Sequence, residues 1–402
     1  MIEAHLLGLA SRAAAALDAF RQPMSPSSLI ELAQRRTHLT DFGERSFETP
    51  LATLIRSYED EADLSTFGRM AARWDCERFL SNLLLLRDAE TRDSAILEQP
   101  IERPVFITGL PRSGTSFLHE LLGHDPATLI VRCWETIYPY PVGPGRSGHP
   151  DERRRKVDRQ LAMFARLAPE IHQLHPIVAD SAQECTEITA HLFTSSRFDS
   201  THRVPSYRRW LDLTDQTGAY RFHRRFLQHL QHRKGPGVWV LKCPETVFAL
   251  SAVRAVYPDA RFIVLHRDPT EVLVSVAKLT EVLRRPFARR VDRHEIGHQV
   301  SERWAEGADI MVDAMASGAA NRDDVVHVKF RDLVRDPPAT IAAIYERLGL
   351  ALSPAFAQAI RTALAEQPQP GPGRHNGRLE DYGLDAETER RRFRDYIACF
   401  GV

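Results

Sequence analysis

The chain lacks the features that mark membrane-spanning, secreted or nucleic-acid-binding proteins. Its 53 Lys and Arg balance its 53 Asp and Glu, so no overall charge attracts a polyanion. No apolar run approaches the length of a transmembrane helix. The first residues do not combine a basic stretch with an apolar one, as a signal peptide does. We therefore expect a cytoplasmic protein with no transmembrane segment and no nucleic-acid partner.

Cysteine is also scarce. The five cysteines are odd in number and scattered, and no two are spaced Cys-x-x-Cys. This pattern argues against a disulfide framework or a zinc site, and favours reduced thiols. His172 and His175 are three residues apart and could share a helix face, but no further ligand motif accompanies them. The sequence therefore predicts no metal.

Short apolar runs alternate with segments of helical periodicity, which predicts an α/β fold. Near-continuous apolar strands are typical of a parallel sheet that is covered by helices on both faces. We predict a helical N-terminal extension over residues 1–98, which could pack, line the substrate site or form a homodimer surface. An α/β domain follows over 99–402, with a helical insertion at about 139–235. The five predicted strands are Val105–Thr108, Thr128–Cys133, Val238–Leu241, Arg261–His266 and Val325–Phe330.

The stretch that follows the first strand has the spacing of a phosphate-binding loop. Gly109, four residues and Gly114 precede Thr115, and an amphipathic helix comes next. ATP-binding loops carry lysine where this chain has Thr115, and the cation here is Arg112. Backbone N–H groups and the helix N-terminus still suit an oxyanion. The lysine that reaches the outer phosphates of a nucleoside triphosphate is missing, so a different terminal oxyanion is expected. The predicted ligand-binding residues are Arg112, Ser113, Gly114, Thr115 and Ser116.

A second pair of polar residues follows the fourth strand. Arg267 ends that strand, and Ser275 lies two turns into the next helix. Asp268 can cap that helix, and Glu271 completes the spacing of a capping box. Ligands bind at the carboxyl ends of strands in open α/β sheets, so Arg267 is placed to meet a phosphate.

These motifs resemble those of the P-loop-like sulfotransferase superfamily. Arg-Ser-Gly-Thr resembles the loop that holds the 5′-phosphosulfate of 3′-phosphoadenosine 5′-phosphosulfate (PAPS). The pair Arg267 and Ser275 resembles the site that binds the 3′-phosphate. The likeness is closest to the bacterial branch that shares features with tyrosylprotein sulfotransferases, and spans residues 104 to about 384 in outline. The family often has Tyr where this chain has Phe330, so a hydroxyl contact is lost there.

The resemblance implies a PAPS-dependent enzyme that transfers a sulfuryl group to a hydroxyl and releases adenosine 3′,5′-bisphosphate without a metal. Lys242, in a Lys-x-Pro sequence after the third strand, would meet the negative charge on the bridging oxygen. Glu135, after the second strand, would take the proton of the acceptor. Glu184, Glu187 and His175 stay open as alternative bases.

The acceptor is expected to be a small or lipid-like molecule. Seven aromatic residues could line an apolar pocket for it: Trp134, Tyr138, Tyr140, Phe193, Phe198, Tyr207 and Trp210. Two other functions stay open at this point. One is a kinase-like phosphotransferase with an altered phosphate loop, and the other is a nucleotide-binding module without catalysis.

Overall fold

In a computed structural model of the chain, residues 23–141, 150–174, 176–366 and 377–402 are described. The strands are β1 (Val105–Gly109), β2 (Thr128–Leu129), β3 (Val238–Lys242), β4 (Arg261–His266) and β5 (Val325–Lys329). The helices before β3 are α1 (Pro26–Thr37), α2 (Glu48–Asp60), α3 (Thr66–Arg92), α4 (Thr115–Leu122), α5 (Cys133–Ile137), α6 (Pro150–Leu167), α7 (Ile171–Leu174), α8 (Cys185–Thr189), α9 (Arg197–Thr201), α10 (Pro205–Asp212) and α11 (Thr217–Lys234). The later helices are α12 (Leu250–Val256), α13 (Pro269–Arg284), α14 (Arg293–Ala316), α15 (Phe330–Arg335), α16 (Pro337–Arg347), α17 (Pro354–Glu366), α18 (Ala386–Arg392) and α19 (Arg394–Phe400). Short 3₁₀ turns lie at Ser94–Ile96, Ala190–Leu192, Pro244–Ala249 and Leu379–Tyr382.

The strands form one sheet in the order β2–β3–β1–β4–β5, and every pairing is parallel. All residues of β1 and β4 are buried, because helices cover both faces of the sheet. The predicted α/β fold with about five mainly parallel strands flanked by helices is therefore confirmed. In this arrangement the loops that follow β1, β3 and β4 meet at the carboxyl edge of the sheet, where α/β proteins bind ligands.

The second strand is shorter than predicted. The sequence predicted a strand over Thr128–Cys133, but only Thr128–Leu129 pairs with β3. Beyond this point the chain pairs with a segment of the insertion instead. The Gln183 N–H donates to the Val131 carbonyl at 2.8 Å, and Cys133 already begins α5. The insertion thus returns to the carboxyl edge of the sheet, which brings Glu184 beside Lys242.

The N-terminal helices share a hydrophobic core with the sheet. Leu84 of α3 and Phe106 of β1 are both fully buried in the same cluster. A buried ionic network also ties α3 to the insertion: Arg78 Nη2 donates to Asp75 at 2.6 Å and to Glu187 at 2.7 Å. Such a network is stabilising only while every charge has a partner. The predicted helical insertion contains α6 to α11 in its described residues.

Several aromatic residues that could have lined an acceptor pocket are core residues. Phe193, Phe198 and Tyr207 are fully buried, and their ring centroids lie about 6 Å apart in successive pairs (6.1 and 5.8 Å). All five cysteines are free thiols, as the sequence predicted. No helix in the described part of the chain is both long and apolar enough to cross a bilayer.

Candidate active site

The phosphate loop between β1 and α4 has a backbone that curls around a concavity. Gly109, Arg112 and Gly114 have φ angles of 117°, 59° and 87°, in the left-handed region. A side chain at Gly109 would place its Cβ 2.2 Å from the Leu265 carbonyl oxygen, so only glycine fits there. Alternating left- and right-handed residues direct successive N–H groups to one side, and α4 adds its N-terminus. The loop therefore has the geometry of an anion site.

Ser113 supplies an observation that fits an anion. The residue is fully buried, and its Oγ has no hydrogen-bond partner in the described residues. A buried hydroxyl without a partner is costly, so an oxyanion in the loop would satisfy it. Thr115 is also buried, whereas Ser116 is half-buried.

The side chains of Arg112, Ser275 and Arg267 come together beside the loop. Arg112 Nε donates to Ser275 Oγ at 3.0 Å, and Arg267 Nη1 donates to the Arg112 carbonyl at 2.7 Å. Burial and, secondly, the charge of Arg267 lower the pKa of Arg112. Two neighbouring guanidinium groups, one of them largely desolvated, make this corner electropositive and suited to a phosphate. The structure thus places these three residues in one cluster beside the loop.

The contacts of Arg267 with its neighbours were only partly foreseen. Its guanidinium lies over the Phe330 ring, with the Cζ atom 4.2 Å from the centroid. A phenyl ring offers the same stacking surface as tyrosine, so Phe330 retains the cation–π contact. Arg267 Nη2 also donates to Glu271 at 2.7 Å. The predicted capping box at the start of α13 is therefore wrong: Asp268 caps the helix through Thr270 N at 2.8 Å, but Glu271 pairs with Arg267 instead.

Lys242 lies at the end of β3, and its ammonium group forms an ion pair with Glu184. The side chain of Lys242 is 3% exposed and that of Glu184 is 29% exposed. Burial of a cation is tolerated because of this pairing. Glu184 also contributes to the electrostatic environment of Arg112. Lys242 and Glu184 thus form a charged pair at the carboxyl edge, in electrostatic contact with the phosphate loop.

Glu135 has different partners. One carboxylate oxygen accepts from the Arg132 N–H at 2.8 Å, and the other pairs with Lys234 Nζ at 2.7 Å. In the described residues no hydrogen bond or ion pair joins Glu135 to the loop, to Lys242 or to Arg267. No motif signals this pairing, because Lys234 lies at the far end of the insertion.

The remaining candidate bases are placed as follows. Glu187 belongs to the buried network, where it pairs with Arg78 and Arg197. His175 lies outside the described residues. No group of three or more His, Cys, Asp or Glu side chains in the described ranges could hold a metal ion.

A glycine-bounded loop and two arginines at the carboxyl edge of a parallel sheet, with a paired lysine and carboxylate beside them, have the arrangement of a phosphate-loop protein. Comparison with known proteins narrows the class. The sulfotransferase family profile matches residues 104–354, so the chain belongs to the sulfotransferase family and is an enzyme of that class.

Two solved structures and one curated relative are similar over most of the chain. Sulfotransferase STF1 from Mycobacterium tuberculosis H37Rv is 30% identical, with a TM-score of 0.80 over 92% of this chain and 98% of that one. Sulfotransferase STF9 from Mycobacterium avium is 26% identical, with a TM-score of 0.82 over 94% and 97%. The omega-hydroxy-beta-dihydromenaquinone-9 sulfotransferase Stf3 of Mycobacterium bovis is 24% identical over 65% of this chain and 67% of its own.

Proposed function

We propose that the protein transfers a sulfuryl group from PAPS to a hydroxyl group of a lipid-like acceptor. Two observations support PAPS as the donor. Arg112, Ser275 and Arg267 form a cluster beside the loop. Within the loop, the Ser113 hydroxyl is buried and has no hydrogen-bond partner in the described residues. PAPS carries a phosphosulfate at the 5′ position of its ribose and a phosphate at the 3′ position. The loop suits the phosphosulfate, and the Arg267–Ser275 side of the cluster suits the 3′-phosphate.

The acceptor class rests on the relatives. The Stf3 relative acts, by its name, on a hydroxylated menaquinone derivative, which is a lipid-like molecule. A primary or phenolic hydroxyl on such a molecule is not acidic enough to react unaided, so a general base is needed. The reaction moves the sulfuryl group from the phosphate oxygen to the acceptor oxygen. The acceptor proton passes to the base, and adenosine 3′,5′-bisphosphate leaves.

Two carboxylates are proposed as the base. Glu135 is the residue that the sequence predicts, and Glu184 is the residue that contacts Lys242. The contacts favour Glu184. When donor oxygens arrive near Lys242, its ammonium can turn to the bridging oxygen, where charge develops as the S–O bond breaks. Glu184 then loses the positive charge of Lys242 beside it, and its carboxylate becomes a stronger proton acceptor.

The first test measures selectivity for the 3′-phosphate. We expect adenosine 3′,5′-bisphosphate to raise the melting temperature several degrees more than AMP at equal concentration, because a ligand that binds only the folded state stabilises it by mass action. Differential scanning fluorimetry with both nucleotides and with ATP measures the shift. Equal shifts of the melting temperature with AMP and with the bisphosphate would contradict the assignment of Arg267 and Ser275 to the 3′-phosphate.

The second test concerns Arg267. We expect Arg267→Ala to weaken bisphosphate binding about 10- to 100-fold, because a charge-assisted hydrogen bond contributes about 1.5–3 kcal/mol. Glu271→Gln is the matched control. It removes the carboxylate that pairs with Arg267 and should leave bisphosphate affinity unchanged or raise it. Titration calorimetry on both variants gives the affinities, and wild-type affinity in Arg267→Ala contradicts the assignment.

A further inference from the structure

We propose that helix α6 docks the enzyme on an anionic lipid bilayer beside the entrance to the active site. This inference rests on the proposed lipid-like acceptor, which must be drawn from a membrane. It assigns a partner surface to the basic stretch at the start of α6, which the proposed reaction does not use.

The exposed face of α6 combines cations with apolar side chains. Arg155, Arg159, Met163 and Arg166 are all exposed, and their spacing of three and four residues puts them on one face of the helix. Met163 is 55% exposed and the adjoining Leu167 is 45% exposed. Basic and apolar residues on one exposed helical face are typical of helices that lie in the membrane interface.

Two exposed carboxylates, Glu152 and Asp158, lie three residues from Arg155 on the helix. In the described residues no carboxylate forms an ion pair with Arg155, Arg159 or Arg166. The neighbouring Arg154, which points elsewhere, pairs with Asp180 at 3.0 Å. Because the whole chain has no net charge, attraction to an anionic surface must come from such a local patch.

The face is connected directly to the active site. Seven residues beyond Leu167, the carbonyl of Leu174 accepts a hydrogen bond from Arg112 Nη2 at 2.8 Å. Ala168 and Leu174 pack on Val282 of α13, the helix that carries Ser275. The segment α6–α7 therefore forms the edge of the phosphate-loop site, and a bilayer against α6 would lie next to the reacting groups.

Charge favours a bilayer over a second copy of the chain. A symmetric dimer would bring the same face of both copies together. Arginines would then lie opposite arginines, which is costly without anions between them. An anionic bilayer supplies phosphate groups for the cations and an apolar interior for Met163 and Leu167.

The experiment measures binding of the full chain to vesicles by co-sedimentation. Vesicles of phosphatidylcholine alone are compared with vesicles that contain phosphatidylglycerol, at low and high salt. We expect binding to the anionic vesicles, weakened by salt. The triple variant Arg155→Gln, Arg159→Gln, Arg166→Gln should lose about fivefold in affinity per arginine, or about 100-fold in all.

The matched control removes the same charge elsewhere. Arg335, Arg361 and Arg390 are exposed arginines on other helices, and their Gln variants should bind vesicles as the wild type does. An equal loss of vesicle affinity in both triple variants, or no vesicle binding by the wild type, overturns the proposal. If the α6 triple instead converts a dimer to a monomer in sedimentation velocity and does not bind vesicles, the face is an interface between copies and the proposal is wrong.

Activity assays separate this proposal from the proposed function. The α6 triple should convert PAPS and a water-soluble hydroxyl acceptor at the wild-type rate, but should lose turnover of a lipid acceptor embedded in anionic vesicles. If the wild-type enzyme converts a soluble acceptor but does not bind vesicles, the proposed function stands and the proposed docking surface is wrong. Vesicle binding without PAPS turnover would support the docking surface and contradict the proposed use of PAPS.

Discussion

Replacement of the catalytic base is expected to lower kcat about a hundredfold to ten-thousandfold while bisphosphate affinity stays near the wild-type value. We expect this result for Glu184→Gln, which keeps the shape of the side chain and removes its proton-accepting group. The physical reason is the contact of Glu184 with Lys242 at the carboxyl edge. A base acts on the acceptor proton only in the transition state, so ground-state binding of the nucleotide should not change.

Glu135→Gln tests the alternative base and is also the control for loss of a carboxylate. Its carboxylate is held by the Arg132 N–H and Lys234, so its replacement should mainly lower stability. Turnover of PAPS with one working acceptor, combined with calorimetry of bisphosphate binding, is measured for both variants. If Glu135→Gln loses kcat and Glu184→Gln does not, the sequence-based choice is the correct one and Glu184 only neutralises Lys242.

Lys242 allows the two roles of the ion pair to be separated. Lys242→Met removes the charge that would stabilise the leaving oxygen and leaves Glu184 without this partner. Lys242→Arg restores a cation. A double-mutant cycle with Glu184→Gln measures their coupling. Because Lys242 is buried, the pair should couple in the free energy of unfolding as well, but a coupling in kcat that exceeds it is expected if the pair acts in catalysis.

The sequence allowed the local parts of the site to be predicted, because their geometry depends on short spacings. Gly109 and Gly114 set the loop, and Arg267 and Ser275 lie on consecutive elements after β4. That these parts meet was not evident from spacing. Arg112 and Ser275 are 163 residues apart, and only the family resemblance linked them.

The carboxylates were harder to place because their partners depend on the path of the insertion. Glu184 reaches Lys242, which lies 58 residues later, since the chain around Gln183 pairs with Val131 and displaces the end of the predicted second strand. No periodicity or motif signals such a pairing. The family resemblance predicts Glu135 as the base from its position after the second strand, and no motif signals its contact with Lys234.

The protein is expected to lose stability steeply as the pH falls below about 6.5. Burial is the main cause that lowers the pKa of five histidines far below the usual value. The pKa is about 3 for each of His119, His191, His202 and His223, and about 2 for His266. A group whose folded pKa is depressed stays neutral in the fold but becomes protonated in the unfolded chain. Falling pH therefore favours unfolding.

The size of this effect follows from proton linkage. Between pH 7.5 and 5.5 each such histidine costs about 1.4 kcal/mol, or about 7 kcal/mol for five. Glu245 works in the opposite direction, because burial raises its pKa to about 7 and the fold then prefers its protonated form at lower pH. It offsets roughly 2 kcal/mol over the same range. A net loss of about 5 kcal/mol is comparable with the whole stability of many domains.

Thermal unfolding from pH 7.5 to 5.5 measures this loss, and calorimetry in buffers of different ionisation enthalpy counts the protons. Near pH 6 unfolding should take up about three protons, since the unfolded histidines are mostly charged and the folded ones are not. His223→Gln, which removes one buried site, should lower that number by nearly one. A melting temperature that does not change between pH 7.5 and 5.5 would contradict the prediction, because it would mean that these histidines take up protons as readily in the fold as in the unfolded chain.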